Sequence, residues 1–147
     1  MNPEGQFRVV LGDWETSKRD ATAIRHEVFV CEQHVPIEIE LDAEDAYSVH
    51  AVAYDERGVA VGTGRLLQDA HIGRMAVRAS HRGLGVGSLL LRALIAEACK
   101  RHYSQIVLSA QVHARGFYAA HGFKADGDIY IEAGIEHVTM RRALANQ

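Results

Sequence analysis

Between Arg82 and Ser88 the chain reads Arg82-Gly83-Leu84-Gly85-Val86-Gly87-Ser88, three glycines at alternate positions behind an arginine. Residues without a Cβ let backbone N–H groups close on a ligand. The stretch that follows, Ser88 to about His102, is amphipathic at helical spacing, so its free first-turn amides and dipole point into the same turn. With a guanidinium alongside, such a turn cradles a pyrophosphate. Two common phosphate signatures do not fit. A dinucleotide fingerprint needs G-x-G-x-x-G early in a βαβ unit and an acidic residue about 20 positions on; here the spacing is G-x-G-x-G, mid-chain. A P-loop ends in G-K-[ST], and this turn has no lysine.

A second constellation lies downstream, Gln111-x-x-Ala114-x-x-Phe117-Tyr118-x-x-x-Gly122-Phe123. It offers a carboxamide and a phenol, the latter able to donate a proton to a leaving group. The titratable groups open to base or acceptor-binding work are His71, His137, Glu27 and Glu32, and histidine titrates near physiological pH unperturbed. Arg25 and Arg65 could hold an acidic group of a substrate or sit in ion pairs. The nine histidines show no H-x-x-x-H pairing and no cysteine at zinc spacing, so no metal site is expected.

These residues need elements to carry them. A short strand is expected at Phe7 to Leu11 and a helix at Ser17 to about Cys31, with Ser17 and Asp20 as a capping box and Ala21, Ile24 and Val28 on one face. Val35 to Asp45 reads as an acidic loop. Val49 to Tyr54 and Val59 to Leu67, joined by Asp55-Glu56-Arg57-Gly58, read as a hairpin. His71 to Val77 forms a strand entering the glycine turn. Leu91, Leu94, Ile95 and Ala98 stripe the following helix, whose Glu97 and Arg101 are spaced for an ion pair. Ile106 to Ala110 is a buried strand, Ala114 to His121 a short helix closed by Gly122, and Ile129 to Ile131 with Ile135 to Met140 a closing strand pair. The order β-α-β-β-β-α-β-α-β-β predicts an α/β fold, a mixed sheet with helices on its faces, within one domain over residues 1–147.

Composition narrows the function classes. A net charge of -3 gives no general attraction to nucleic acid or to anionic membranes. No apolar run reaches the length of a membrane span, and the N-terminus lacks the regions of a signal peptide. The two cysteines, Cys31 and Cys99, fall among apolar residues and are expected as buried free thiols of a reducing compartment. A cytoplasmic protein is expected.

Arg82-x-x-Gly85-x-Gly87, between a strand and a helix, resembles the acetyl-CoA signature of the GNAT (GCN5-related) N-acetyltransferases. The Gln111 to Phe123 segment resembles that family's later motif, and the two occur in its order and at its separation. Arg25-x-Glu27-Val28-Phe29-Val30-x-Glu32-Gln33 and Gly134-Ile135-x-His137-x-x-Met140 are similar to the YjcF- and ElaA-like branch. The resemblance spans roughly residues 5 to 142.

The resemblance implies the acyl-CoA N-acyltransferase fold and transfer of an acetyl group from acetyl-CoA to a primary amine, in a ternary complex. Met75, Ala76 and Val77 would offer backbone groups to the pantetheine arm, with an oxyanion donor near Val77. Arg82, Gly83, Leu84, Gly85, Val86, Gly87 and Ser88 would hold the pyrophosphate. Gln111 stands where the family often has an asparagine that bonds the pantetheine, and Tyr118 stands where it has its general acid. Many members carry a glutamate early on the strand before the glycine turn; this chain has Gly73 there, followed by Arg74, which leaves the base open among His71, His137, Glu27 and Glu32. That departure keeps a second reading in play, an acyl-CoA-binding sensor with little catalysis. The acceptor is a small-molecule or peptide amine, with the acidic Val35 to Asp45 loop favouring a cationic one. Small members of the family are commonly homodimers.

Overall fold

The computed structural model describes residues 3–144. Its strands are β1 (Arg8–Gly12), β2 (Val49–Tyr54), β3 (Ala60–Leu66), β4 (His71–Val77), β5 (Gln105–Gln111), β6 (Lys124–Ala125), β7 (Tyr130–Glu132) and β8 (Ile135–Ala143). The α-helices are α1 (Pro3–Gln6), α2 (Trp14–Arg25), α3 (Ile37–Glu40), α4 (Val86–Lys100) and α5 (Arg115–Ala120). The strands form one mixed sheet in the order β1-β2-β3-β4-β5-β8-β6, with β7 also on β8. Neighbours are antiparallel except β4 and β5, which run parallel.

Alternation along the central strands splits the core into two layers. Ala51, Ala53 and Val61 face α4, whose Leu90, Leu91 and Leu94 are buried against them. Val52, Ala60 and Ala76 face α2, where Ala21 and Ile24 meet them. The hairpin forms as its turn residues dictate: Asp55 Oδ1 accepts from the amides of Arg57 and Val59, both at 2.9 Å. The Glu97–Arg101 pair is present at 2.8 Å.

The first helix differs from the expectation. It starts at Trp14, three residues before Ser17, because Asp13 caps it, accepting from the Thr16 amide at 2.9 Å; Ser17 is buried. It also stops being α-helical at Arg25 and continues as a π-helix over His26–Glu32. Wider turns change which side chains share a face, so Cys31 is exposed rather than buried, while Cys99 is half-buried; both are free. The segment expected as an acidic loop contains α3 and a 3-10 turn, Ala43–Tyr47.

One irregularity positions everything that follows. On β3 and β4, Thr63 pairs with Ala76 and Arg65 with Gly73, so two β4 residues, Arg74 and Met75, oppose the single Gly64. Arg74 carries the bulge at φ 50°. The Met75 sulfur lies 2.5 Å from where a Cβ on Gly64 would stand, so a side chain there would have to displace Met75. On its other edge β4 pairs with β5 only at His71–Val107 and Ile72–Leu108. Beyond Ile72 the two strands part.

Candidate active site

The opening between β4 and β5 is a cleft of about 820 Å³. Its walls are β4 from Gly73 to Val77, Ser109 and Gln111 of β5, the π-helix through Val28 and Phe29 with Gln33 just after it, and the β7–β8 hairpin through Glu132, Ile135 and His137. A cavity of about 540 Å³ adjoins it at the glycine turn, lined by Arg82, Gly83 and Gly85 to Ser88. Met75, Ala76, Val77 and Tyr118 line both. The unpaired edge of β4 therefore runs from one chamber into the other, with Tyr118 where they meet.

The glycine turn has the geometry its sequence demanded. Gly83 (φ 78°) and Gly85 (φ 87°) are left-handed. Gly85 is the N-cap of α4, and no side chain caps the helix. The amides of the first turn thus face the cavity without intrahelical partners, at the positive end of a 15-residue helix. A Cβ on Gly87 would stand 3.4 Å from the Phe117 ring, so the turn and α5 pack closely. Ser88 Oγ lies 3.0 Å from His121 Nε2, and burial holds His121 below its usual pKa. Backbone donors, a helix terminus and an open strand edge fit a pantetheine pyrophosphate.

Arg82 is differently engaged from the expectation. Its Nε donates to the Val77 carbonyl at 2.9 Å, and its two Nη atoms grip Glu32 at 2.6 and 2.8 Å. The hydrogen bonds from Arg82 pull the Glu32 pKa down, and those to Glu32 raise that of Arg82. Glu32 is in this way withdrawn from base duty. Gln111 is engaged too, its amide donating to Gln33 Oε1 at 2.9 Å and accepting from Gln33 Nε2 at 3.3 Å. The π-helix is tied to the glycine turn on one side and to β5 on the other.

Tyr118 packs its ring on Phe117 and Phe123, with centroids 5.0 and 6.0 Å away. Its hydroxyl makes no hydrogen bond among the described residues. Burial pushes the phenol pKa up to about 12, so it keeps its proton at neutral pH.

The acidic segment does not lend its charge to the cleft. Arg25 is buried, its Nε and Nη2 on Glu40 at 2.9 and 2.7 Å and its Nη1 on Asp45 at 2.8 Å. Arg65 binds Asp42 at 2.7 and 2.9 Å and Asp45 at 2.8 Å. Arg74 completes the set, reaching Asp42 at 3.1 Å and the Glu40 carbonyl at 3.1 Å. Burial alone would lower the Arg25 pKa, but its bonds to Glu40 and Asp45 raise it. Three guanidiniums thus neutralise three carboxylates. Of the two roles open to Arg25 and Arg65, the ion pair is the one formed, so Arg25 is not an acceptor-binding group; Glu40, Asp42 and Asp45 are spent on these pairs, while Glu38 and Glu44 stay exposed. The network instead clamps the Arg74 bulge.

Of the remaining base candidates, His71 lies at the exposed start of β4, 3.1 Å from Asp69, and does not line the cleft. Glu27 is exposed and pairs with Arg78, also away from the cleft lining. His137 is buried in the cleft wall, opposite Gln111 in the β5–β8 register. Its Nδ1 is 2.7 Å from the Ile135 carbonyl. A carbonyl only accepts, so Nδ1 carries the proton and Nε2 the lone pair. Sequence reasoning missed Ser109 and Glu132, which carry no motif and reach the cleft only through strand pairing, and gave no role to Gln33, the end of the Arg25–Gln33 segment. Among the described residues, no cluster of His, Cys, Asp and Glu could hold a metal ion, and no helix is long and apolar enough to cross a membrane.

The comparisons with known proteins agree with this geometry. A family model described as an acetyltransferase (GNAT) domain matches residues 15–144. The chain is 37% identical over 140 residues to the uncharacterized N-acetyltransferase YjcF of Bacillus subtilis, covering 92% of this chain and 99% of that one. Among solved structures, an acyl-CoA N-acyltransferase from Pseudomonas aeruginosa superposes with a TM-score of 0.82 at 29% identity, covering 93% of this chain and 99% of that one. ElaA of Escherichia coli does so at 0.80 and 27%, covering 92% and 99%.

Proposed function

The chain belongs to the GNAT acetyltransferase family, and on that premise we propose that its single domain moves an acetyl group from acetyl-CoA to a primary amine by direct attack in a ternary complex. The observation that carries the reading is the junction: one tyrosine with a protonated phenol borders both the glycine-turn cavity and the cleft between the parted strands. Bound acetyl-CoA supplies the activated thioester. The first-turn amides of α4 hold the pyrophosphate, and the open edge of β4 from Gly73 to Val77 pairs with the pantetheine amides as a strand would. An amide near Val77 faces the carbonyl oxygen.

On the acceptor side, His137 Nε2 takes the proton the amine gives up. The nitrogen lone pair forms the new C–N bond, the C–S bond breaks, and Tyr118 protonates the departing thiolate. Positioning supplies most of the rest. The two free thiols suit a reducing compartment and support a cytoplasmic site of action.

The test is release of free CoA thiol from acetyl-CoA across a panel of primary amines, alongside thermal shifts with CoA and with NAD. Amine-dependent thiol release and a rise in melting temperature with CoA are expected; at 100-fold above Kd the gain is about 2.7 kcal/mol. Binding of acetyl-CoA without turnover of any amine would favour the sensor reading.

A further inference from the structure

Glu132 stands apart from the other carboxylates of the cleft. Glu32 is gripped by Arg82, and Glu40 by Arg25 and Arg74. Glu132 lies 3.7 Å from His137 Nε2 and 3.4 Å from Ser109 Oγ, and no arginine or lysine pairs with it among the described residues. Ser109 in turn bonds the Tyr130 hydroxyl, and the Tyr130 ring stacks on His137 at 6.1 Å. Both residues line the cleft, His137 buried against Tyr130 and Glu132 more exposed beside Ser109.

The pair has an unusual gap. With Nδ1 committed to the Ile135 carbonyl, Nε2 of the uncharged imidazole faces the Glu132 oxygen as one acceptor faces another, with nothing donated between them. Their separation is too long for a hydrogen bond of their own. It is short enough for one primary ammonium to donate to both. A charge-assisted bond to a carboxylate is worth about twice a neutral one.

We infer that Glu132 and His137 form the dock for the acceptor's own ammonium group, so that the acceptor is a cationic primary alkylamine with no carboxylate beside the amine. The inference rests on the transfer reading above and deepens it. Glu132 draws in the charged amine and orients it; His137 Nε2 accepts one of its protons and passes it to water, leaving a neutral nitrogen to attack, then takes the second proton that the nitrogen sheds as the C–N bond forms, and solvent returns a proton to Tyr118 after the phenol has protonated the thiolate. An acidic group next to the amine would meet Glu132 and be repelled. The negative charge of Glu40, Asp42 and Asp45, taken up by Arg25, Arg65 and Arg74, is not needed here.

The experiment compares ethylamine, an ammonium at neutral pH, with trifluoroethylamine, nearly the same shape but uncharged there. Glu132→Gln should raise KM for ethylamine by roughly tenfold or more while leaving KM for trifluoroethylamine within about twofold, a charge-assisted bond having been lost. Acetyl-CoA affinity should be unchanged, which reports an intact fold. Equal losses for both amines, or none for ethylamine, overturn the dock. Titration of ethylamine followed by 15N signals of His137 works without turnover. A shift in wild type that disappears in Glu132→Gln supports the dock, and no shift in wild type overturns it. Thiol release from neither amine, with His137 still shifting, strikes the transfer reading and spares the dock.

Discussion

Tyr118→Phe removes one oxygen and leaves the ring. The ring contacts with Phe117 and Phe123 survive the change, and the hydroxyl has no hydrogen bond among the described residues to lose. Stability should therefore move by no more than about 0.5 kcal/mol, the scale of a substitution that breaks no packing, cap or network. Acetyl-CoA affinity should also hold, since the pyrophosphate rests on backbone amides. The chemical step is another matter. With its pKa at about 12, the phenol is ionised to only about one part in 10⁵ at pH 7, so almost every enzyme molecule has its acid charged with a proton. Loss of a positioned general acid costs roughly 10²-fold to 10⁴-fold in kcat, or about 2.7 to 5.4 kcal/mol of barrier. The assay is steady-state thiol release with calorimetric CoA binding and thermal melting on the same samples. A low kcat with unchanged Kd and melting temperature is expected. Full kcat in Tyr118→Phe would refute the assignment and return Tyr118 to a packing role. A parallel fall in stability would show that the hydroxyl holds the fold.

Gly85→Val places a β-branched residue at φ 87°, a left-handed position such side chains avoid, and fills the mouth of the turn; CoA binding by calorimetry should vanish while far-UV circular dichroism is retained. Arg25→Ala leaves Glu40 and Asp45 buried without their main partner, so chemical denaturation should show a loss of about 3 to 5 kcal/mol; a change under about 1 kcal/mol would contradict the network's role. His50 is held neutral by burial, its Nε2 donating to the Asp45 carbonyl at 2.9 Å, with Arg25 and Arg65 opposing a charge. The unfolded chain protonates His50 below about pH 6.5 and the folded chain only at lower pH. Its contribution is therefore intact above that value, turns unfavourable as pH falls through it, and levels off below the folded pKa. His50→Gln should flatten the part of the stability profile that falls as pH drops below about 6.5, and an unchanged slope would reject the assignment.

Local chemistry was readable before any coordinates. The glycine spacing dictates a left-handed turn at a helix start, because no other residue gives both the φ and the access, and Gly83 and Gly85 adopt it. The 3.6-residue stripe of α4 likewise follows from which face must leave water, and Leu91, Leu94, Ile95 and Ala98 are buried as it requires. The family was legible for the same reason, since its signatures are short and contiguous in sequence, Arg82 to Gly87 in one turn and Gln111 to Phe123 across a strand end and the next helix. Misreadings began where a residue's role depends on a partner far along the chain. Asp13 outcompeted Ser17 as a cap by being placed at the true helix start, and the π-turns after Arg25 leave no periodicity in so short a run. Arg25 and the carboxylates of the acidic segment resemble surface charges in sequence. Folding buries Arg25 with Glu40 and Asp45, and a buried charge is tolerated only when paired, so these residues and Asp42 form a brace for the Arg74 bulge. Glu132 and His137 are five residues apart on paired strands, and no pattern announces that their acceptor atoms confront each other across 3.7 Å. That gap exists only because the hairpin folds back beside the point where β4 and β5 part.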